Sequence, residues 1–429
     1  MNNTYLITSE SVSEGHPDKV ADQIADAILD SMLAQDPKTR ICCEVFVTTN
    51  FVLVGGEYRS KAVVNIEKIV RNVLHHIGYN DPDILFSAQD CEVQIRLHTQ
   101  SEDIVRGVDR EKTVDQGAGD QGIIFGFATR ETPQYLPQAY VLANDILLKL
   151  KEIRRKHPEK MPYLRPDAKS QVTLRYDAQN NPLYVDTIIV STQHTHFINE
   201  HTTPLLSETE REQAMVRTIY QDICKHILPY VIPKKWLHKN TRILVNPTGK
   251  FIIGGPHGDA GLTNRKIIVD TYGGACSHGG GGMSGKDASK VDRSAAYMAR
   301  YIAKNMVAAG IADKVLLQLA YAIGISNPVA LNVHTFGTSH VKLTDGEIAQ
   351  LLLQELDFSP AGMEQKLQLQ EPKYFATASY GHMGRNAFTG SQHQWNGEHP
   401  EKDLRDIHFF SWEALDMTET LKKLFKNHL

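Results

Sequence analysis

A chain of 429 residues, 41% hydrophobic and 22% charged, is long enough for two or three domains with cores and ordinary for a globular enzyme. Its formal charge of −4 gives no general pull toward nucleic acid or an anionic membrane, so any basic cluster has to be local. No apolar run is long enough to cross a bilayer, and Met1-Asn2-Asn3-Thr4-Tyr5 lacks a basic-then-apolar signal start, which predicts a cytoplasmic protein.

In chain order, residues 14–35 read as a helix. Pro17 falls in its first turn, and Val20, Ile24, Ala27, Ile28 and Ser31 recur at helical spacing. Residues 40–48 and 51–57 alternate as a strand pair around Thr49-Asn50. Residues 65–77 form an amphipathic helix and 91–98 a strand. Further on come a strand at 123–125, a hairpin of 173–176 with 183–192, and a helix over 208–227 whose Ser207 and Glu210 are spaced as a capping box. Strands are expected at 243–245, 251–253 and 266–270, then a long helix over 284–309 and a strand over 315–326. The segments 154–166 and 389–406 are polar and read as surface insertions. Residues 48–57 and 247–256 share one pattern: a turn, an apolar strand and a double glycine, which suggests repeated α+β units.

Five cysteines without a C-x-x-C pair read as reduced thiols, mostly in strands. Nineteen histidines show no zinc-ligand spacing, and His75-His76 reads as a helix C-terminal feature.

The most informative stretch runs from His278 to Arg293, HGGGGMSGKDASKVDR. Four glycines expose backbone N–H groups, and Lys286 and Lys290, four apart on the predicted helix, share one face. With Asp292 they supply what a polyphosphate and its divalent cation require. The stretch nearly matches a phosphate-loop pattern, but Asp287 replaces the hydroxyl residue after the lysine, and no strand runs directly into the loop. Four other clusters bear chemistry: residues 11–19 with His16 and Asp18 at a helix start, the glycine-punctuated loop 116–122 with Asp120, residues 165–169 with Lys169, and residues 254–266 with Asp259, Arg265 and Lys266. A phosphate-loop kinase, a zinc enzyme and a non-catalytic nucleotide-binding protein are the rival classes.

Together these stretches resemble the S-adenosylmethionine synthetase (methionine adenosyltransferase) family, from Tyr5 to about Arg385; the tail after Asn386 carries no inference. The resemblance implies an α+β fold of three related β-α-β-β-α-β domains around a pseudo-threefold axis, over residues 1–101, 114–241 and 242–429 with strands exchanged between them. It implies a homodimer or homotetramer with active sites between subunits, and synthesis of S-adenosylmethionine from ATP, L-methionine and water with release of phosphate and diphosphate. Two Mg²⁺ per site and K⁺ come with it. Asp18 and Asp292 correspond to Mg²⁺ ligands and Glu44 to the K⁺ carboxylate. His16 corresponds to the group at the leaving oxygen on C5′. Lys169, Arg265, Lys266, Lys286 and Lys290 correspond to phosphate-binding positions, with Lys290 also near methionine. Asp167, Ala168, Lys250, Phe251, Asp259 and Gly282 fall at ATP-binding positions, and Glu57, Gln100, Asp120 and Asp259 at methionine-binding ones. Lys250 stands where many relatives have arginine, and Gly282-Met283 replaces bulkier residues, which predicts a looser loop. Residues 100–110, polar around Gly107, read as a gate over the site.

Overall fold

The computed structural model describes residues 4–100, 116–396 and 404–428. The first elements are β1 (Tyr5–Val12), α1 (Pro17–Leu33), β2 (Arg40–Thr48), β3 (Phe51–Arg59), α2 (Ile66–Ile77) and β4 (Glu92–Thr99). The same strand–helix–strand–strand–helix–strand order returns in β5 (Gly122–Thr129), α3 (Gln138–Lys156), β6 (Leu164–Tyr176), β7 (Pro182–His194), α4 (Glu208–His226) and β8 (Leu237–Val245). A short β9 (Gly261–Leu262) then leads to α5 (Val291–Ala309), β10 (Lys314–Tyr321), β11 (Ala330–His334), α6 (Asp345–Glu355), α7 (Pro360–Lys366), β12 (Phe388–Gln392), β13 (Leu404–Phe409) and α8 (Thr418–Leu424).

The opening strand of each series pairs outside its own series. β1 lies antiparallel to β6, in a sheet ordered β1-β6-β7-β8; β5 lies antiparallel to β10, in β11-β10-β5; and β9 pairs with β2, in β4-β3-β2-β9. One hydrophobic cluster joins α1, α2 and α5 to the strands around them, and a second lies between α3, α4 and the β6–β7 hairpin.

Several elements form for the expected reasons. Pro17 opens α1, Asn65 caps α2 through Lys68 N–H, and Ser207 with Glu210 closes the capping box of α4, a device contributing about 1 kcal/mol. Others differ. Helix α5 starts at Val291, not at 284, because the preceding residues lie along β2 as an extra edge. Cys43 N–H donates to Gly285 O at 2.9 Å, and Asp287 N–H to Ile41 O at 3.2 Å. Gly285 has φ +78, and a Cβ there would sit 2.0 Å from Cys43 O. Residues 266–270 are not a strand but contain a single helical turn, Ile267–Asp270, whose β-branched residues mimic a strand. Phe251 meets the backbone of His194 without joining a ladder, so only the first of the two repeated segments is a strand of a hairpin.

Residues 154–166 are not a surface insertion: Arg154 and Arg155 both bind the buried Glu14, and Pro166 O accepts from Ser13 Oγ at 2.7 Å. Within 389–406, Gln392 is buried and donates to Asp30, so that segment too is partly core. The cysteines are free, but only Cys42 and Cys43 lie in a strand. Helix α3 escaped the sequence reading although Leu142, Ile146, Leu147, Leu150 and Ile153 follow Pro137 at helical spacing and are buried. Among the described residues no helix is long and apolar enough to cross a membrane.

Candidate active site

The site forms where the start of α1, the segment after Phe251 and the glycine loop meet. Ser13 is stitched to β6 by Ser13 N–H to Ala168 O at 2.9 Å and Ala168 N–H to Ser13 Oγ at 2.8 Å. Gly15 passes so close to Pro166 that a Cβ would meet its backbone at 2.3 Å. These contacts fix His16 as the N-cap of α1, buried, with its Nδ1 accepting Asp18 N–H at 3.2 Å. Burial, with Lys266 and Lys169 nearby, lowers the His16 pKa to about 3. The ring is therefore neutral near pH 7, and since Nδ1 accepts, its proton is on Nε2.

Asp18 is equally buried. Its Oδ2 takes Lys266 Nζ at 2.6 Å, its Oδ1 takes Leu262 N–H at 3.0 Å, and Arg265 lies 3.7 Å from Oδ1. Burial alone would raise its pKa, but the hydrogen bonds from Lys266 and Leu262 carry it below the usual carboxylate value. In the glycine loop, Lys286 Nζ donates to Asp292 Oδ2 at 2.7 Å and Lys290 Nζ to Asp287 Oδ2 at 3.4 Å. Asp287, fully buried, also takes Ile41 N–H and Ser289 N–H. Despite burial, Lys290 and Arg40 bring it down to about 2. Lys286 and Lys290 share no helix face, since Lys290 is the N-cap of α5; what aligns Lys286 is its bridge to Cys42 of β2.

That bridge brings the methionine-binding candidates alongside. Cys42 faces Glu57 on β3, Glu57 faces His98 on β4, and Gln100 follows two residues later with its N–H on Tyr58 O at 3.0 Å. Residues 101–110, the rest of the expected gate, lie outside the described residues. Gly119 N–H donates to Ser289 O at 3.1 Å, which ties the loop of the exposed Asp120 to the segment ahead of α5. Glu44, two residues after Cys42, accepts from Thr263 Oγ1, and burial raises its pKa.

Around Phe251, Asp167 Oδ2 accepts Gly255 N–H at 2.9 Å while its buried Oδ1 has no hydrogen-bond partner, and burial pushes its pKa up to about 6. Phe251 N–H donates to His194 Nε2 at 3.0 Å. Lys169 and Asp259 are exposed. Lys250 turns toward α4, with Nζ 2.8 Å from Glu208. The loop at Gly282 is not loose: a Cβ there would strike Asn264 at 2.2 Å, and Met283 is buried.

Sequence reasoning missed the supports. Glu14 binds Lys151, Arg154 and Arg155 of α3, and Asp22 and Asp270 both bind the buried Lys19. Asp26 holds Arg293 in a fully buried two-point pair at 2.7 and 2.8 Å. Part of the signal was present, since Asp18, Asp22, Asp26 and Asp30 recur every fourth residue of a buried helix, but the spacing does not reveal their partners. Among the described residues no three acidic, histidine or cysteine side chains cluster as a metal cage. Mg²⁺ does not need one, because it binds through one or two carboxylates plus waters and substrate phosphates, and Asp18 and Asp292 are hard oxygen donors beside Lys266 and Lys286.

Comparison with known proteins agrees along the chain. Residues 4–102 match the family model described as S-adenosylmethionine synthetase, N-terminal domain, residues 115–251 the central domain, and 253–396 the C-terminal domain. The chain is 51% identical to the S-adenosylmethionine synthase of Parabacteroides distasonis and 50% identical to that of Phocaeicola vulgatus, in each case over 98% of this chain and 99% of the relative. The S-adenosylmethionine synthase of Cytophaga hutchinsonii is 49% identical at the same coverage.

Proposed function

This chain belongs to the S-adenosylmethionine synthetase family, and from that premise we propose how its residues make S-adenosyl-L-methionine from ATP and L-methionine. The methionine sulfur carries no proton, so its attack on C5′ of ATP needs no general base. What the reaction needs is alignment of sulfur with C5′ and stabilisation of the triphosphate as it leaves. The observation that carries the reading is the buried His16 at the N-cap of α1 with the Lys266–Asp18 pair beside it, together with the second lysine–aspartate pair, Lys286–Asp292, at the start of α5.

His16, with Nδ1 engaged by Asp18 N–H, presents Nε2–H to the oxygen departing from C5′. Lys169, Arg265, Lys266, Lys286 and Lys290 neutralise the polyphosphate. The same cations then hold the triphosphate for hydrolysis to phosphate and diphosphate. Members of the family generally need a divalent metal. Two Mg²⁺, held by Asp18 and Asp292, would draw negative charge off the phosphate oxygens, and K⁺ would sit at Glu44. When phosphate and metal arrive, Lys266 and Lys286 exchange carboxylate for phosphate. The half-buried Phe251, with Asp167, Ala168, Gly282 and Asp259, holds the nucleoside, and Lys250 lies at its outer edge. Glu57, Gln100, Asp120, Asp259 and Lys290 hold methionine.

The three α+β series form domains about a pseudo-threefold axis, over the boundaries expected from the sequence. Two or four copies assemble with sites between subunits, which fits the apolar Ile95, Ile123 and Leu262 left exposed on the sheets. Five free cysteines suit a cytoplasmic setting.

His16→Asn separates the two chemistries. Formation of S-adenosylmethionine falls by about 100-fold or more, while hydrolysis of added tripolyphosphate stays near wild type. Equal loss of both activities removes the assignment of His16 to C5′–oxygen cleavage.

A further inference from the structure

Beyond the last residue matched by the family models, the chain turns back into the molecule and stacks against α5. The Trp412 indole lies on the Tyr297 ring with centroids 3.6 Å apart and planes 1° from parallel, and both side chains are fully buried. Trp412 Nε1–H donates to His382 O at 2.9 Å. The next residue, Glu413, is locked by Arg300 at 2.9 and 3.0 Å, by Lys304 at 2.7 Å and by Gly384 N–H at 2.7 Å, so the indole cannot slide along the helix.

Tyr297 is one turn beyond Arg293, and the hydrogen bonds between them have a defined direction. Arg293 Nε can only donate, so it donates to the Tyr297 hydroxyl oxygen at 3.2 Å. The hydroxyl also shares a hydrogen bond with His382 Nδ1 at 2.8 Å. Burial keeps His382 neutral, its pKa well below the usual value. Its Nε2 is buried with no hydrogen-bond partner, a cost the fold accepts to aim the ring this way. Arg293, set by Tyr297 and by the face of Tyr374 4.0 Å away, reaches the glycine loop directly. Its Nη1 donates to Lys286 O at 3.0 Å and to Asp26 Oδ1 at 2.7 Å, and that same Oδ1 accepts Gly285 N–H at 2.8 Å.

We propose that the C-terminal segment sets the phosphate loop: Trp412 fixes Tyr297, Tyr297 fixes Arg293, and Arg293 with Asp26 holds the Gly285–Lys286 backbone where Lys286 can meet the polyphosphate. Trp412 and Tyr297 are positioning residues that touch no substrate. The inference rests on the reading of Lys286 as a phosphate ligand. It adds that the loop's placement is controlled from further along the same face of α5, where Tyr297, Arg300 and Lys304 meet a segment outside the family's three matched regions.

The test uses the full chain and inorganic tripolyphosphate, a probe that needs the loop but neither adenosine nor methionine. Trp412→Ala and Tyr297→Phe are each expected to lower kcat/KM for tripolyphosphate and for ATP by about tenfold or more, with the KM for methionine little changed. Trp412→Phe keeps a stacked ring and restores most of the loss. Tyr297→Phe keeps the ring and its volume, so it gives an answer even where Trp412→Ala does not fold. Wild-type kcat/KM for tripolyphosphate in Tyr297→Phe overturns the proposal, as does a folded Trp412→Phe as impaired as Trp412→Ala. Lys286→Ala in the same assay separates the layers. If it alone is impaired, the loop binds phosphate and the positioning claim falls; if it is unimpaired, the phosphate reading falls and the positioning claim with it.

Discussion

Helix α1 carries an aspartate at every fourth position, and the two ends of that row do different work. At the start, Asp18 is paired with Lys266, whose side chain is 22% exposed, and Arg265 lies nearby, half exposed. Further along, Asp26 meets Arg293 with neither side chain exposed at all, and Asp30 accepts two backbone amides, from Tyr374 and Phe375. A lysine at the solvent edge is a compact point charge that can leave for another anion. A two-point guanidinium pair sealed from water, or a carboxylate tied to backbone, cannot be exchanged without opening the fold. On the proposed reading, one residue type at one spacing becomes either chemistry or scaffold according to its partner and how exposed that partner is.

The largest expected effect sharpens that contrast on the scaffold side. Asp26→Asn leaves Arg293 buried without its counter-charge, at a cost of about 3–5 kcal/mol, read as a drop in the urea midpoint. An unchanged midpoint would place Asp26 with the exchangeable group. Next, Lys286→Ala should cut turnover by about 100-fold, near 3 kcal/mol of transition-state stabilisation, without moving the unfolding curve. Near-normal turnover in the purified variant would remove Lys286 from phosphate binding.

A smaller effect is spread over pH. Burial, acting against its two amide hydrogen bonds, pushes Asp30 up to about 7. An acid whose folded pKa exceeds its unfolded value favours the protonated form in the fold. Its stabilising contribution is full below about pH 4 and is lost as pH rises through 7. The stability advantage of wild type over Asp30→Asn should therefore shrink by about 1.4 kcal/mol per pH unit across that window. Urea curves at three pH values within it test this, and a constant gap between the proteins would contradict it. The smallest effect is at Glu44. Glu44→Gln should keep most activity but lose the preference for K⁺ over Na⁺, and a variant still stimulated normally by K⁺ would exclude Glu44 from the cation site.

The sequence was most legible where period and cap agree. Helices α1, α2 and α4 and the β2–β3 pair fall within a few residues of expectation because apolar spacing and turn residues point the same way. It was least legible where tertiary partners override local preference. The segment from Ser284 to Lys290 has helical spacing, yet its backbone is taken by β2 and Asp26. Ile267, Ile268 and Val269 look like a strand, yet they turn so that Asp270 reaches Lys19. The candidate residues of the site could be named from their motifs. Its supports could not, because Glu14 with α3, Arg293 with Asp26 and Trp412 on Tyr297 are pairings across 115 to 267 positions of chain, which no local pattern encodes.

The most direct test of the division along α1 is a Mg²⁺ titration of methionine-dependent phosphate and diphosphate release by Asp18→Asn, run beside its urea unfolding curve. An amide oxygen is a poorer ligand than a carboxylate for a hard cation. The account predicts a Mg²⁺ requirement raised about tenfold or more at an unchanged unfolding midpoint. A normal Mg²⁺ titration together with a lowered midpoint would contradict it, because Asp18 would then belong with Asp26 to the scaffold.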